Sequence, residues 1–238
     1  MKFCVLILAS LIASFISGTA GFGGALLLLP AVTAYVGVQT AVPVLTIAQL
    51  IGNLSRMIFG FRQIDWPPVG LFCITALPGA ALGAFGFSVL PSGFVTRAIG
   101  GVLIAFVFFK LLLKIDLKPG NKTILAGGAA VGLLSGLAGS GGPIGAAVFL
   151  TLGLPPVAYI ASEAATATAM HILKTVLYSK LLGIDRDSLI IGLLMGVAMI
   201  IGSFCSNKMI RKMEKAKYQK YVAVFLGIIG VTMLITGT

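Results

Sequence analysis

The chain has 238 residues, of which 58% are hydrophobic and only 10% are charged, a composition that excludes an ordinary soluble domain. The net charge of +11 does not indicate a nucleic-acid-binding protein, because the lysines and arginines cluster in short connections beside apolar runs. The three cysteines have the spacing of neither a metal site nor a disulfide framework, so we expect no metal and no cofactor.

Apolar runs cover nearly the whole chain, and the first extends from Phe3 to Ser55 without an acidic or basic residue. A bilayer core of roughly 30 Å is spanned by about 20 apolar helical residues, so this run is long enough to cross twice. Further uncharged runs follow at 66–96, 98–109, 123–162, 188–207 and 221–238. Because these runs are apolar throughout instead of alternating, they predict an all-α polytopic membrane protein with about 8–10 membrane segments.

A glycine-rich octet occurs twice along the chain. The first octet, residues 17–24 (SGTAGFGG), reappears 118 residues later as the second octet, residues 135–142 (SGLAGSGG). Apolar runs flank both copies. The sequence therefore predicts two homologous transmembrane halves, residues 1–115 and 119–238, within one integral membrane domain.

Each octet contains four glycines, which weaken a helix. Non-helical backbone inside a membrane is tolerated only against protein or a wet cavity. We therefore expect each octet to break a helix into two short pieces, and paired broken helices indicate the binding site of a transporter. Tight helix packing through glycine is the alternative explanation.

The basic connections near residues 114–122 and 207–220 bear on the topology. If the helix pair interrupted by each octet crosses the membrane twice, or enters it and returns without crossing, each half has an odd number of crossings. Both basic connections then lie on the cytoplasmic face. Arg62 also falls on that face, whereas Arg97 does not. The charge pattern favours inverted-topology repeats with both termini outside.

Polar residues recur at matching depths in the two halves. Gln49, Asn53 and Arg56 are spaced to share one face of a helix. After the 118-residue offset, the position of Asn53 is occupied by His171 and that of Arg56 by Lys174. Glu163 lies on the same stripe. Charged residues within membrane spans are costly and indicate function by default.

Arg56 and Lys174 suit the attraction and coordination of an oxyanion, although both are close enough to a loop to snorkel to the interface. Glu163 and His171 are candidates for proton coupling. A structural charge pair between Glu163 and Lys174, and a packed, hydrogen-bonded His171, are the alternatives.

The backbone of the octets is the strongest candidate for substrate contact, because short helices starting after Gly24 and Gly142 would direct free N–H groups at an anion. Pro143 suits the first turn of such a helix. The full predicted substrate site is Thr19, Gly21, Phe22, Gly23, Gly24, Gln49, Asn53, Arg56, Ser135, Gly139, Ser140, Gly141, Gly142, His171 and Lys174.

At these paired motifs the sequence resembles the sulfite exporter TauE/SafE family, also called TSUP. The resemblance rests on residues 17–24 followed by Leu29-Pro30, and on residues 132–142, and it covers both halves. It implies transport of sulfite, thiosulfate, sulfonates or related organic anions, typically across a bacterial or archaeal inner membrane. Ser140 and Pro143 depart from the more usual glycine-rich, aliphatic continuation.

We therefore expect a secondary transporter in the cell membrane that moves a small anion by alternating access, and not an enzyme. An anion channel is the alternative, and an intramembrane enzyme is disfavoured because no nucleophile and base have a recognisable spacing. The expected partners are the anion, membrane lipid and a coupling proton or sodium ion. Self-association into a homo-oligomer is left open.

Overall fold

The computed structural model describes residues 2–21, 24–91, 120–214, 217 and 221. Within these residues the chain forms eight α-helices and one short 3-10 turn, Phe61–Gln63, with no strand. The helices are α1 (Lys2–Ala20), α2 (Ala25–Val36), α3 (Val38–Phe59), α4 (Trp66–Val89), α5 (Asn121–Ala138), α6 (Gly142–Thr151), α7 (Pro156–Leu182) and α8 (Arg186–Ile210). The predicted site residues Phe22 and Gly23, and the predicted boundary between the halves at 115–119, lie outside the described residues.

Three of the described helices, α3, α4 and α8, are long and apolar enough to cross a membrane. The 27-residue α7 is longer than any of them, but it carries Glu163, His171 and Lys174 and many small residues, which lower its hydropathy. The prediction of a helical membrane protein is confirmed for the described residues. The total of about 8–10 segments stays a prediction.

Each octet spans the point where one helix ends and the next begins. Gly21, after α1, has a φ of 76°, and Gly139, after α5, has a φ of 72°. This left-handed conformation costs other residues roughly 1–2 kcal/mol, which explains why glycine stands at both positions. After the turns, Gly24 packs beside Ala13 of α1, and Gly141 packs beside Val131 of α5. The chain therefore folds back, and each octet is the tip of a helical hairpin.

Helices α4 and α5 pack through small residues. Gly128, Gly132 and Gly136 recur every four residues on α5, where they contact the backbone of α4 at Phe72, Ala76 and Ala80 in that order. Small residues at this spacing let two membrane helices approach closely. Because the contact positions rise together along both helices, α4 and α5 are parallel.

Helix α8 packs against the first half of the chain in a similar way. Gly202 contacts Ser14 of α1, and Gly18 of α1 contacts Ser206. Gly192 and Gly196 of α8 contact successive positions of α3. Helix α8 therefore runs parallel to both α1 and α3.

The two polar helices α3 and α7 run antiparallel. One surface pocket joins the start of α3 at Gln39 to the end of α7 at Leu182. A second pocket joins Gln63, just after α3, to the start of α7 at Pro156. Contacts of α4 with α7 at both ends, between Asp65 and Ser162 and between Phe87 and Tyr178, show that these two helices are parallel.

These directions relate helices that stand 118 to 120 residues apart in the sequence. Because α8 is parallel to α1 and α3, while α4, α5 and α7 are parallel to one another, α1 is antiparallel to α5, α3 to α7 and α4 to α8. Each first-half helix of these pairs is therefore antiparallel to its counterpart in the second half.

The charged residues at the ends of the helices are distributed unevenly. At the end where α3 and α8 finish and α5 begins, the described charged residues are mostly basic and include Arg62, Lys122, Lys208, Arg211 and Lys212. At the opposite end, around the connection from α7 to α8, two basic residues stand beside two acidic ones: Lys180, Arg186, Asp185 and Asp187. We call the first end the basic side of the protein.

The close contact of α4 with α5 predicts a strict requirement for glycine at position 132. A Cβ atom at Gly132 would collide with the backbone of Ala76, so Gly132→Ala should lower the free energy of unfolding by about 1–3 kcal/mol. Gly70→Ala is the matched control, because a Cβ atom at Gly70 of α4 has no neighbour within 4 Å. Thermal unfolding of both variants in detergent checks this, and equal stability of the two would contradict the packing described.

Candidate functional site

A small cavity lies where the tip of the second hairpin meets α3 and α7. Its volume is about 30 Å³, enough for a water molecule. The predicted site residues that line it are Gln49, Asn53, Ser135, Gly139, Ser140, Gly141, Gly142, Glu163 and His171. Ala25, at the start of α2, brings the first hairpin to the same cavity.

Several buried polar atoms at this cavity have no hydrogen-bond partner. They are both amide atoms of Gln49, the Ser140 hydroxyl, the Oε2 atom of Glu163 and the Nδ1 atom of His171. Each of these side chains is at least nine-tenths buried. A buried polar atom without a partner costs roughly 1–3 kcal/mol, and native proteins retain few of them. Their convergence on one cavity is the pattern expected of a site that awaits a polar ligand.

Lys174 lies behind the cavity wall instead of lining it. Its side chain is fully buried, and its Nζ atom donates to the Ser135 carbonyl at 3.0 Å and to the Ser135 hydroxyl at 2.8 Å. No salt bridge joins it to Glu163, so the alternative of a structural charge pair is not what the structure contains. The ammonium holds the end of α5 instead, next to the turn of the second hairpin.

Arg56 occupies the corresponding place in the first half. Its guanidinium donates to the Ser17 hydroxyl and to the Asn53 side-chain oxygen, and only 3% of the residue is exposed. Neither Arg56 nor Lys174 reaches out of the protein, as a snorkelling side chain would. Both point inward, to the serine that begins the octet.

The two cation–serine contacts are related by the offset that relates the octets. Ser17 and Arg56 are 39 residues apart, as are Ser135 and Lys174. Moving each residue of the first pair along the chain by 118 gives the second pair. The same offset relates the two left-handed turn residues, Gly21 and Gly139. The polar stripe and the octet of each half therefore meet in the same way.

Three predicted site residues of the first octet lie away from the cavity. The Thr19 hydroxyl bonds to the Ile16 carbonyl and lies 3.2 Å from the Tyr221 hydroxyl. Gly21 packs against the Tyr159 ring, and Gly24 packs against Ala13. In this conformation the cavity is thus lined mainly by the second octet, while the first contributes through the start of α2.

Two helices begin at the cavity. Gly24 is the N-cap of α2 and Gly141 is the N-cap of α6, and no side chain caps either helix. The first N–H groups of a helix have no partner within it and carry partial positive charge. Pro143 stands in the first turn of α6, as the sequence predicts.

Sequence reasoning missed two tyrosines that support the site. Tyr159 packs against Gly21 and donates to the Ala146 carbonyl at 3.3 Å, and Tyr178 donates to the Gly136 carbonyl. Both rings thereby tie α7 to a hairpin. They could have been found, because Tyr159 precedes Glu163 by four residues and Tyr178 follows Lys174 by four, which places both on the polar stripe of α7.

The sequence profile of the sulfite exporter TauE/SafE family matches residues 6–233, nearly the whole chain. The chain belongs to the sulfite exporter TauE/SafE family. TauE/SafE proteins are membrane transporters, so the resemblance of the paired octets is confirmed, together with the membrane character of this chain. Comparisons with curated proteins and with solved structures gave no match.

The shared geometry of the two halves of this TauE/SafE protein predicts matched effects of two substitutions. Ser17→Ala and Ser135→Ala each remove a hydroxyl that accepts from a buried cation, so each should lower the free energy of unfolding by about 1.5–3 kcal/mol. Thermal unfolding in detergent measures the effect.

Ser88→Ala is the control, because the Ser88 hydroxyl is exposed and bonds only within its own helix. Its effect should stay within about 0.5 kcal/mol. Stability losses no larger than that at Ser17 and Ser135 would show that the cation–serine contacts do not hold the hairpins.

Proposed function

We propose that this protein is a secondary transporter of a small oxyanion, with sulfite, thiosulfate or an organosulfonate as substrate, and that the cavity at the hairpin tips is its binding site. The observation that carries the proposal is the convergence of unpartnered polar atoms from Gln49, Ser140, Glu163 and His171 on that cavity. An amide, a hydroxyl and an imidazole can all donate hydrogen bonds to oxyanion oxygens.

The charges around the cavity favour an anion over a cation. Arg56 and Lys174 are buried directly behind its wall, against the single carboxylate of Glu163 among the lining residues. The starts of α2 and α6 add partial positive charge. In an interior of low dielectric constant, an excess of positive charge over negative is stabilised by a bound anion.

The helix directions support transport by alternating access between two inverted repeats, residues 1–115 and 119–238. Antiparallel counterparts that meet at a central site are the architecture of many secondary transporters. The contact of α3 with α7 joins the two proposed halves at the middle of this arrangement. A site built from both halves changes its accessibility when one half moves against the other.

In this proposal the structure corresponds to a closed state of the transporter. The central cavity of about 30 Å³ is too small for an anion with several oxygen atoms, whereas the pockets at the two ends of the α3–α7 pair measure about 660 Å³ and about 250 Å³. The larger pocket is on the basic side, next to Arg211. Substrate entry therefore requires a hairpin tip to move, which favours a transporter over a permanently open channel.

The basic side is the cytoplasmic face in this proposal, since loops rich in lysine and arginine stay inside. Arg62, Lys122 and the basic end of α8 then face the cytoplasm of a cell whose inner membrane holds the protein. The basic mouth would concentrate anions from the cytoplasm, as export requires.

A stability–function comparison tests the site. Gln49→Leu replaces a fully buried amide that has no partner, so it should keep or raise the unfolding temperature while it lowers thiosulfate counterflow in proteoliposomes at least about tenfold. Thr33→Val is the matched control, because the Thr33 hydroxyl is also buried without a partner but does not line the cavity. Equal counterflow by the two variants would place the substrate elsewhere.

The substrate class is tested by the same assay with competing anions. Unlabelled sulfite, thiosulfate and sulfoacetate should reduce labelled thiosulfate counterflow, and Arg56→Gln and Lys174→Gln should weaken it in folded protein. If no such anion moves, or if choline moves instead, the proposal of anion transport fails.

A further inference from the structure

Glu163 is the feature of the cavity that anion binding alone does not explain. It is 95% buried in the first third of α7, lines the cavity, and its Oε2 atom has no hydrogen-bond partner. Among the described residues the one salt bridge joins Lys217 to Glu214 on the surface; Glu163 forms none, although the Arg56 guanidinium lies near enough to interact with it electrostatically. A carboxylate at this place would face the bound anion.

The surroundings of Glu163 contain few other groups that could accept or release a proton. On its own helix these are Tyr159, His171 and Lys174, of which Lys174 is held by Ser135. Arg56 faces it from α3, and the hairpins contribute only uncharged groups, Ser135 and Ser140. On the α4 side the nearest carboxyl belongs to Asp65, whose backbone N–H bonds to Ser162.

Two negative charges cannot share this cavity at low cost. The side chains that line it are buried, and a protein interior screens charge weakly, so a carboxylate and an anion bound beside it would repel each other. A protonated carboxyl group, by contrast, is neutral and donates a hydrogen bond to an oxyanion oxygen. The anion and a proton on Glu163 therefore favour each other.

We propose that Glu163 is the coupling site for protons: its carboxylate takes up one proton from the side on which the anion binds, and releases it with the anion on the other side. This inference rests on the proposed anion transport and adds the coupling ion. Each cycle forms and breaks one O–H bond on Glu163, and the proton comes from and returns to water. One proton accompanies each anion, and sodium is not required.

The test uses proteoliposomes that contain the full chain, with thiosulfate as substrate because its own charge does not change between about pH 5 and about pH 8. Thiosulfate uptake by the wild-type protein should be accompanied by proton uptake, reported by a pH dye inside the vesicles. If Glu163 must be protonated, the apparent affinity for thiosulfate should fall about tenfold per pH unit once pH exceeds the pKa of the group.

Glu163→Gln keeps the shape of the protonated carboxyl group and its ability to donate a hydrogen bond. Its affinity for thiosulfate in counterflow should no longer depend on pH, and thiosulfate uptake should no longer be accompanied by proton uptake. Asp65→Asn removes the neighbouring carboxyl that does not line the cavity, and it should behave as the wild type does in all three measurements.

The outcomes separate the coupling from the transport function. Thiosulfate uptake without protons in the wild type, or wild-type pH dependence in Glu163→Gln, would overturn the coupling while leaving anion transport intact. Loss of thiosulfate counterflow in folded Glu163→Gln would also overturn it, because the neutral side chain would then not replace the protonated one. No thiosulfate movement by the wild type under any condition would count against the proposed function itself.

Discussion

The arrangement of the site depends on two buried cations, each bonded to a serine at the end of a hairpin arm. Arg56 binds Ser17, and Lys174 binds Ser135. A buried cation must be solvated by the protein, since water is excluded from its surroundings. The serine contacts satisfy this requirement and at the same time fix the position of the non-helical tips, which must themselves be buried against protein in a membrane. One interaction thus both solvates the buried cation and fixes the position of the hairpin tip.

Once the hairpin tips are fixed in this way, the buried polar atoms without hydrogen-bond partners at the cavity can be explained as a binding site. Glycine spacing lets α4 approach α5, and α8 approach α1, so that one arm of each hairpin packs closely against a long helix. The cations are held behind the wall, while Gln49, Ser140, Glu163 and His171 turn unpaired atoms to the cavity. Positive charge attracts the anion, and neutral donors complete its hydrogen bonds. In this arrangement the carboxyl group of Glu163 can lie beside the substrate when it is protonated.

Much of this arrangement could be predicted from the sequence. The glycine-rich octet and the polar residues are each weak indications of a site, but both recur at the same offset of 118 residues. The octets correctly indicated helix breaks. Nine of the predicted site residues line the cavity, and Arg56 and Lys174 bond to two of these, Asn53 and Ser135. The reversal of the chain at Gly21 and Gly139 could not be distinguished from a crossing, since periodicity records helices but not their direction. Likewise, the position of Arg56 behind the wall depends on the Ser17 contact, which residue spacing on one helix does not reveal.

The central claim is that an oxyanion binds between the hairpin tips. A crystal structure of the protein with thiosulfate, located by the anomalous scattering of its sulfur atoms, tests this most directly. The account predicts sulfur density in an enlarged cavity, with oxygen atoms within hydrogen-bond distance of Ser140 and Gln49 and close to the start of α6. Thiosulfate bound elsewhere, with this cavity unchanged in a protein that transports it, would contradict the claim.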